Sequence, residues 1–177
     1  MAAAPATAAG LEKLEDIVAA ETCTVEQICN ELSRLFRVRL QEVAMMKVQR
    51  SMLQFLHPPE LCSAGMIPIS SSAVAARTAA SRRADYYNNF VTVQHSGIFE
   101  TVRMKKSDVP NNEMDAQTIQ KLMSAPVLGV GNKVTGVIQI SRKGFDINSS
   151  GPDFSSADLD QLKAAARIIG VFFARQD

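Results

Sequence analysis

The side chains best suited to hold a small polar ligand lie near the middle of the sequence and on one later segment. Aromatic and amide groups adjoin in the stretch "DYYNN", Asp85 to Asn89, and this mixture is typical of small-molecule pockets. An arginine upstream could bind a phosphate or carboxylate through two parallel hydrogen bonds, and a histidine downstream could titrate or act as a ligand. We therefore predict a ligand pocket formed by Arg77, Tyr86, Tyr87, Asn89, His95 and Gln139.

Each of these side chains also has a plain structural interpretation. The stretch "DYYNNF" is typical of a turn with one tyrosine packed inward. A single histidine without a second ligand nearby is more often a hydrogen-bonded structural residue. Arginines at the end of a helix complement the helix dipole, so Arg77, Arg82 and Arg83 could form a solvated helix end.

Covalent and metal-assisted catalysis find little support in the residue types. The chain contains two histidines and three cysteines, and no Ser-His-Asp or Cys-His arrangement can be assembled from them. Cys23, Cys29 and Cys62 form no CxxC pair and are odd in number, so neither a zinc site nor a disulfide framework is indicated. We expect no bound metal, a reduced cytoplasmic setting and a protein that is not an enzyme. The sequence identifies no cofactor.

Composition and charge describe one domain without an obvious polyanionic partner. The chain has 177 residues, 46% of them hydrophobic, which is enough for one domain with a substantial core. Its 19 basic and 18 acidic residues leave a net charge of +1, so nucleic acid is not an expected partner. No apolar run approaches the length of about 18 residues that a membrane helix needs, so no membrane association is expected.

The N-terminal part of the sequence predicts a tail followed by helices. Residues 1–10 are rich in alanine and are expected to form a disordered tail, with a single domain over residues 11–177. Apolar residues from Leu11 to Val18 recur at helical spacing. Thr24 and Gln27 form a capping-box pattern at the start of a second helix, which could also continue the first as one bent helix.

The middle of the sequence predicts short strands, a helix and an irregular segment. The runs "EVAMMKVQ" and "SMLQFL" have strand length, and the prolines of "HPPE" end their pairing. "GMIPIS" is a candidate third strand, and "AVAARTAASRR" is a candidate helix. The segment from Asp85 to about Gln117 has little regular pattern, although "GIFETVRM" could form a short helix. Long loops of this kind often bind ligands.

The stretch "APVLGVGNKVTGVIQISRKG", Ala125 to Gly144, could be a phosphate-binding loop or a β-hairpin. A phosphate loop needs a helix directly after its glycines, whereas the strand-like "VIQIS" follows here. Gly131 and Asn132 tolerate the positive φ of a hairpin turn. We predict a hairpin, and a last helix whose capping box is formed by Ser155 and Asp158. Strand pairs joined by short turns indicate an antiparallel sheet and an α+β fold.

One set of residues in the last third of the sequence matches a known family pattern. Its members are Pro126, Val127, Gly136, Val137, Ile138, Ile140, Phe154, Ser155, Asp158 and Leu162. This set resembles the C-terminal half of a GAF domain, and by element order the resemblance extends over about Val18 to Arg175. The resemblance implies an antiparallel sheet of about six strands, with the N- and C-terminal helices on one face and pocket loops on the other.

The resemblance to GAF domains also implies particular ligands that can be checked residue by residue. Cyclic-nucleotide-binding members carry Asn-Lys, then Phe, then Asp-Glu. The matching positions here are Arg142, Lys143, Phe154, Asp158 and Leu159; the first and last of these depart from the pattern. Bilin-binding members and free methionine sulfoxide reductases use cysteines later in the domain or in the pocket loops, but every cysteine here lies at or before Cys62.

Together these features predict a non-catalytic module that senses a small molecule or carries a signal. We expect a homodimer, or a complex with a partner protein, formed through the terminal helices. The expected response to a ligand is closure of the segment from Arg77 to Met114 over the sheet. Two alternatives are a scaffold whose pocket is filled by its own side chains, and a thiol redox enzyme that depends on Cys62.

Overall fold

The computed structural model describes residues 4–90 and 118–176, with side chains from residue 8 onward. Its helices are α1 (Ala4–Ala19), α2 (Val25–Phe36), α3 (Pro59–Cys62), α4 (Val74–Ser81) and α5 (Ser156–Ala174). Its strands are β1 (Val43–Gln49), β2 (Met52–His57), β3 (Met66–Pro68), β4 (Asp85–Tyr87), β5 (Thr118–Leu128) and β6 (Val134–Gly144). His95 and the predicted helix "GIFETVRM" lie outside the described residues.

The described strands form one six-stranded antiparallel sheet in the order β3-β2-β1-β6-β5-β4. Short turns join β1 to β2 and β5 to β6, and β1 pairs with β6 across the centre of the sheet. This arrangement confirms the predicted α+β fold, because strands joined by short turns must pair antiparallel.

The sheet has two differently covered faces. Helices α1, α2 and α5 cover one face, here called the helix face, and enclose a large hydrophobic cluster that includes Met45 and Ile138. Helices α3 and α4 cover the opposite face, here called the α4 face, where Met46, Phe55 and Val137 are buried. Successive strand residues alternate between faces, so the neighbours Met45 and Met46 belong to different clusters.

Both predicted capping boxes are present. The Thr24 hydroxyl accepts a hydrogen bond from the Gln27 N–H at 3.2 Å, and the Gln27 side chain accepts one from the Thr24 N–H at 3.0 Å. Ser155 and Asp158 make the same exchange at the start of α5, at 3.2 and 2.7 Å. Each box satisfies donors that a helix N-terminus leaves without partners, so local sequence defines where α2 and α5 begin.

Helix α1 begins at Ala4, inside the segment expected to be a tail. It ends before α2 starts, so the N-terminal region forms two helices and not one bent helix. At the break, Arg175 at the end of α5 donates hydrogen bonds to the Val18 carbonyl at 2.7 Å and to the Ala20 carbonyl at 3.3 Å. A cation here satisfies carbonyls that the helix end leaves free, and it joins the ends of α1 and α5.

Part of "DYYNNF" is a strand, so the prediction of a turn is wrong for its first three residues. These residues form β4, which pairs with β5 at the edge of the sheet. A strand this short is decided by its tertiary partner more than by its own propensity. The next residue leaves the sheet: the Asn88 side chain accepts from the Phe154 N–H at 2.8 Å and donates to the Phe154 carbonyl at 2.9 Å.

The segment Ala125 to Gly144 is a β-hairpin, as predicted. Gly131 and Asn132 in its turn have φ values of 67° and 58°, which a glycine and an asparagine adopt at low cost. Strand β6 then continues to Gly144. Because a strand follows the turn, no helix N-terminus is available to bind a phosphate in the way a phosphate loop does.

Candidate functional site

A row of polar side chains crosses the α4 face at the centre of the sheet. Cross-strand pairing aligns Asp85 with Ser124, and Ser124 with Gln139; these three residues are here called the polar row. Ser124 is 0% exposed and Gln139 is 3% exposed. Directly opposite residues of an antiparallel pair project to the same face, so the row runs from the exposed edge of the sheet to its buried centre.

A directed chain of hydrogen bonds connects the polar row to α4. The Gln139 amide donates to the Ser124 hydroxyl at 3.2 Å, and the Ser124 and Thr78 hydroxyl oxygens lie 2.7 Å apart. Thr78 donates to the Val74 carbonyl at 2.9 Å. Because a hydroxyl has one hydrogen, Ser124 is the donor to Thr78. This series of hydrogen bonds ends on the helix backbone and ties α4 to the sheet.

A small cavity adjoins the polar row on the side of β1. Its volume is about 20 Å³, which is room for about one water molecule. Its described walls include Gln139, Ser141 and Lys143 from β6, Leu122 from β5 and Leu61 from α3. The cavity thus combines a few polar groups with apolar walls, as ligand sites do. Its volume is far below that of a metabolite.

A buried carboxylate, Glu42, borders this cavity. It accepts hydrogen bonds from the Arg39 N–H and the Arg39 guanidinium, both at 2.8 Å, and from the Lys143 N–H at 2.7 Å. Burial favours the neutral acid, but these hydrogen bonds and the Arg39 charge outweigh it, so the pKa of Glu42 lies below its usual value. The carboxylate is engaged by the protein's own donors and acts as a structural anion.

Tyr87 and Arg77 lie close together at the β4 edge of the α4 face. Partial burial and the Asp85 carboxylate raise the pKa of the Tyr87 hydroxyl, while the Arg77 guanidinium acts in the opposite direction. Tyr87 also packs edge-on against Phe90, with ring centroids 6.5 Å apart. The structure thus places Tyr87 and Gln139 on the same face, with the exposed Arg77 at its rim.

Two predicted pocket residues are placed elsewhere. Tyr86 pairs with Met123 and packs against the hydrophobic cluster of the helix face, on the far side of the sheet from Tyr87. Asn89 is exposed beyond the end of β4. Because a strand turns successive side chains to opposite faces, two adjacent tyrosines of one strand cannot both line the same pocket.

Ser124, Ser141 and Thr78 are polar residues of the α4 face that the sequence analysis did not single out. The signal for the first of them was present, since Ser124 interrupts the apolar run "KLMSAPVL". Once that run is assigned to a strand, alternation places Ser124 on the face opposite Met123 and Ala125. The contact with Thr78 depends on where α4 packs, which no local pattern indicates.

The residues at the positions of the cyclic-nucleotide pattern make structural contacts. The Arg142 guanidinium lies 4.7 Å from the centre of the Phe154 ring and donates to the Phe36 carbonyl at 3.3 Å, at the end of α2. Asp158 caps α5, and the Lys143 ammonium donates to the Gln41 carbonyl at 3.5 Å. Phe154 belongs to the cluster of the helix face, so only Lys143 among these residues lines the cavity beside Gln139.

The three cysteines are free thiols, and Cys29 and Cys62 lie in different environments. Cys29 is buried, and burial raises its pKa to about 12. Cys62 is exposed at the end of α3, where partial burial and the Glu60 carboxylate raise the pKa of its thiol. A raised pKa lowers the thiolate fraction at neutral pH, so neither environment activates the sulfur.

Residues 4–90 and 118–176 show neither a metal-binding cluster nor a membrane-spanning helix. In these ranges no three or more histidine, cysteine, aspartate or glutamate side chains are grouped so that they could hold a metal ion. Within the same part of the chain, no helix combines the length and apolar content that crossing a bilayer requires.

Solved structures reproduce this order of helices and strands. The GAF domain of a phosphoenolpyruvate-protein phosphotransferase from Acinetobacter matches with a TM-score of 0.66 and 14% identity, over 96% of this chain and 93% of that chain. The chain has a GAF fold. A GAF domain from A. aeolicus in an inactive state matches with a TM-score of 0.62 and 13% identity, over 97% of this chain and 98% of that chain. No family model and no curated protein match the sequence.

The same GAF fold is also found in enzymes. The free methionine-R-sulfoxide reductase from Neisseria meningitidis, in complex with its substrate, matches with a TM-score of 0.63 and 15% identity, over 96% of this chain and 90% of that chain. The prediction that this protein is not an enzyme is wrong as an inference from the GAF resemblance, because the same fold, over 96% of this chain, is compatible with catalysis.

Proposed function

We propose that this GAF-fold protein senses a small molecule, which binds between α4 and the polar row, and passes a signal to its terminal helices. The observation that supports the proposal is the hydrogen-bonded set Gln139, Ser124 and Thr78, buried in the centre of the α4 face. This set provides hydrogen-bonding groups for a polar ligand at a place enclosed by apolar side chains.

Burial of this polar set has a cost that a purely structural face would avoid. Polar groups removed from water are destabilising unless each finds a partner, and apolar residues of similar size at these positions would fill the same space without that requirement. Phe55 and Val137 show that other positions of the face are packed in this way. A role in ligand recognition accounts for the buried polar residues at these three positions.

The proposed mechanism is a displacement of α4. The cavity beside Gln139 has a volume of about 20 Å³, whereas pockets for small molecules occupy roughly 300 Å³ or more. Because Ser124 and Thr78 are in direct contact, a ligand bound between α4 and the polar row must shift α4 outward and take over the hydrogen bond that Ser124 donates to Thr78. The ligand favours the displaced state only by the difference in its affinity for the two states, and that difference comes from its contacts with Ser124 and Gln139.

A metabolite screen by thermal shift tests the proposal, with Gln139→Leu and Ser124→Ala as site variants and Ser33→Ala as the matched control. Ser33 donates to the Asn30 carbonyl on α2, away from the α4 face. A ligand raises the melting temperature of the native state by mass action. We expect a metabolite whose Kd rises at least about tenfold in both site variants, a loss of about 1.4 kcal/mol, and is unchanged in the control.

Two results would argue against the sensor. If the site variants bind the metabolite as tightly as the parent, the ligand lies elsewhere. If no metabolite stabilises the protein, and amide exchange in α4 is as slow as in β1, the polar set only fixes α4 and the scaffold alternative gains support.

Association through α1 and α5 and a cytoplasmic location stay predictions. The exposed stripe of α5 is largely polar, with Val171 as its exposed large hydrophobic residue.

A thiol-dependent reductase is the second candidate, favoured by the structural match to methionine-R-sulfoxide reductases. Cys62 is exposed, and the preceding residue Leu61 lines the cavity beside Gln139. Such a reaction converts a sulfoxide and two thiols to a sulfide, a disulfide and water. If it operates, reduction of free methionine sulfoxide with a dithiol is lost in Cys62→Ser and retained in Cys23→Ser. Equal turnover in both variants excludes Cys62.

A further inference from the structure

A cleft opens in the sheet where β1 and β6 separate. Their pairing ends at Lys47 and Gly136, although β1 continues to Gln49 and β6 begins at Val134. Beyond that point β1 pairs only with β2, and β6 only with β5, among the described pairings. The two hairpins therefore diverge, and a cavity of about 330 Å³ lies between them. This space is large enough for a small metabolite.

The walls of this cleft are positively charged. Lys47, Arg50 and Lys133 line it, together with Ser51, Thr135 and other residues without charge, and no carboxylate is among its described lining residues. Arg50 and Lys133 are exposed, and they come from the two opposing hairpins. Lys47 extends across to the end of α5, where its ammonium donates to the Gln176 carbonyl at 3.5 Å. The cleft therefore favours an anion.

The turn that carries Arg50 has an unusual backbone. Arg50 and Ser51 have φ values of 49° and 62°, so both central residues of this two-residue hairpin are left-handed. Asn-Gly or Gly-Gly adopts this turn with less strain, and a non-glycine residue in this region is disfavoured by roughly 1 kcal/mol. Strain of this kind collects at ligand sites. Here it places a guanidinium on the wall of the cleft.

We propose that the cleft between the two hairpins binds the dianionic phosphate group of a small metabolite. Arg50 provides a planar fork of donors that matches phosphate oxygens, and Lys133 provides a point charge from the opposite wall. Lys47 adds positive charge from β1. This cleft lies at the opposite end of β1 and β6 from the cavity beside Gln139, and the proposal does not depend on the sensor site.

Nuclear magnetic resonance titration of the full chain tests the cleft. The probes are glycerol 3-phosphate and inorganic phosphate, with chloride at matched ionic strength and pH as the reference. We expect saturable amide shifts at Arg50, Ser51 and Lys133 with both phosphates. The Kd for glycerol 3-phosphate should rise at least about tenfold in Arg50→Glu and in Lys133→Glu, since each reversal replaces an attraction by a repulsion. Both residues are exposed, so both variants should fold, which the melting temperature checks.

Arg83→Glu is the matched control, because Arg83 is also exposed but does not line the cleft. The Kd of this variant for glycerol 3-phosphate should stay within about twofold of the parent value, because salt screens the interaction of the ligand with surface charges outside the cleft. The proposal is overturned if chloride produces the same shifts, if Arg83→Glu weakens binding as much as the cleft variants do, or if glycerol 3-phosphate fails to bind where inorganic phosphate does. Shifts confined to α4 and the polar row would also overturn it.

Discussion

Replacement of Gly136 by alanine is expected to destabilise the protein by about 3 kcal/mol, and replacement by valine to prevent folding. A Cβ atom on Gly136 would lie 2.5 Å from the Met46 carbonyl oxygen and 2.8 Å from the Phe173 ring. The first of these is a backbone atom of the paired strand β1, so it cannot rotate away. Typical domains have a net stability of only about 5–15 kcal/mol, so this single methyl group removes a large part of it. Urea unfolding of both variants measures the effect.

Two further variants separate this steric contact from other causes. Phe173→Leu removes ring atoms near the added methyl group, so the double variant Gly136→Ala/Phe173→Leu should be less destabilised than the sum of the single changes, by about 1 kcal/mol. Gly170→Ala is the matched control. Its Cβ would lie 3.2 Å from the Leu128 carbonyl oxygen, and the gain in helix propensity should offset that crowding. If the losses of unfolding free energy in the two single variants simply add up in the double variant, position 136 and Phe173 are not in the proposed contact.

Replacement of Glu42 by leucine is expected to cost about 3 kcal/mol of folding free energy. It leaves the Lys143 N–H and the Arg39 N–H without the carboxylate that now accepts from both. Because Glu42 is 6% exposed, water cannot fully replace the lost acceptor. Glu42→Gln keeps the side-chain volume and a carbonyl oxygen, so its cost should be smaller, about 1–2 kcal/mol.

The same carboxylate predicts how stability depends on pH. The folded protein holds the pKa of Glu42 below the usual value of 4.5. The stabilisation is therefore fully present above about pH 4.5 and is lost as the pH falls through the lower, folded value. Urea unfolding from pH 7 to pH 3 should show a shallower acidic decline in Glu42→Gln than in the parent. Glu12→Gln, at an exposed position, is the control and should follow the parent. Parallel declines in all three proteins would exclude Glu42 as the titrating group.

These two predictions concern opposite ends of β1 and β6, the strands that also border both proposed sites. Gly136 lies where the strands separate at the phosphate cleft, and Glu42 lies beside the cavity near Gln139. Close contact of β1 and β6 at Gly136 brings Phe173 of α5 against the sheet. A ligand at either end could therefore alter the packing of α5 through these strands, and α5 is a terminal helix of the sensor proposal.

The candidate pocket was predictable only in part. Gln139 and Tyr87 follow from strand alternation once the strands are known, and both lie on the α4 face. Tyr86 is predicted in the same pocket because it belongs to the aromatic and amide stretch "DYYNN", and the strand places it on the other face. Glu42 carried no signal at all, since an isolated glutamate before an apolar run looks like a surface residue. It accepts a hydrogen bond from the N–H of Lys143, which is 101 residues away in sequence.

The sequence alone determined the local elements of this protein, and the tertiary structure decided which side chains meet. The capping boxes at Thr24 and Ser155 and the turn at Gly131 involve residues a few positions apart, so their geometry is encoded in short patterns. The short strand β4, the link from Gln139 to Thr78 and the cleft between Arg50 and Lys133 each join distant segments. Such contacts depend on the packing of whole strands and helices, which local propensity does not specify.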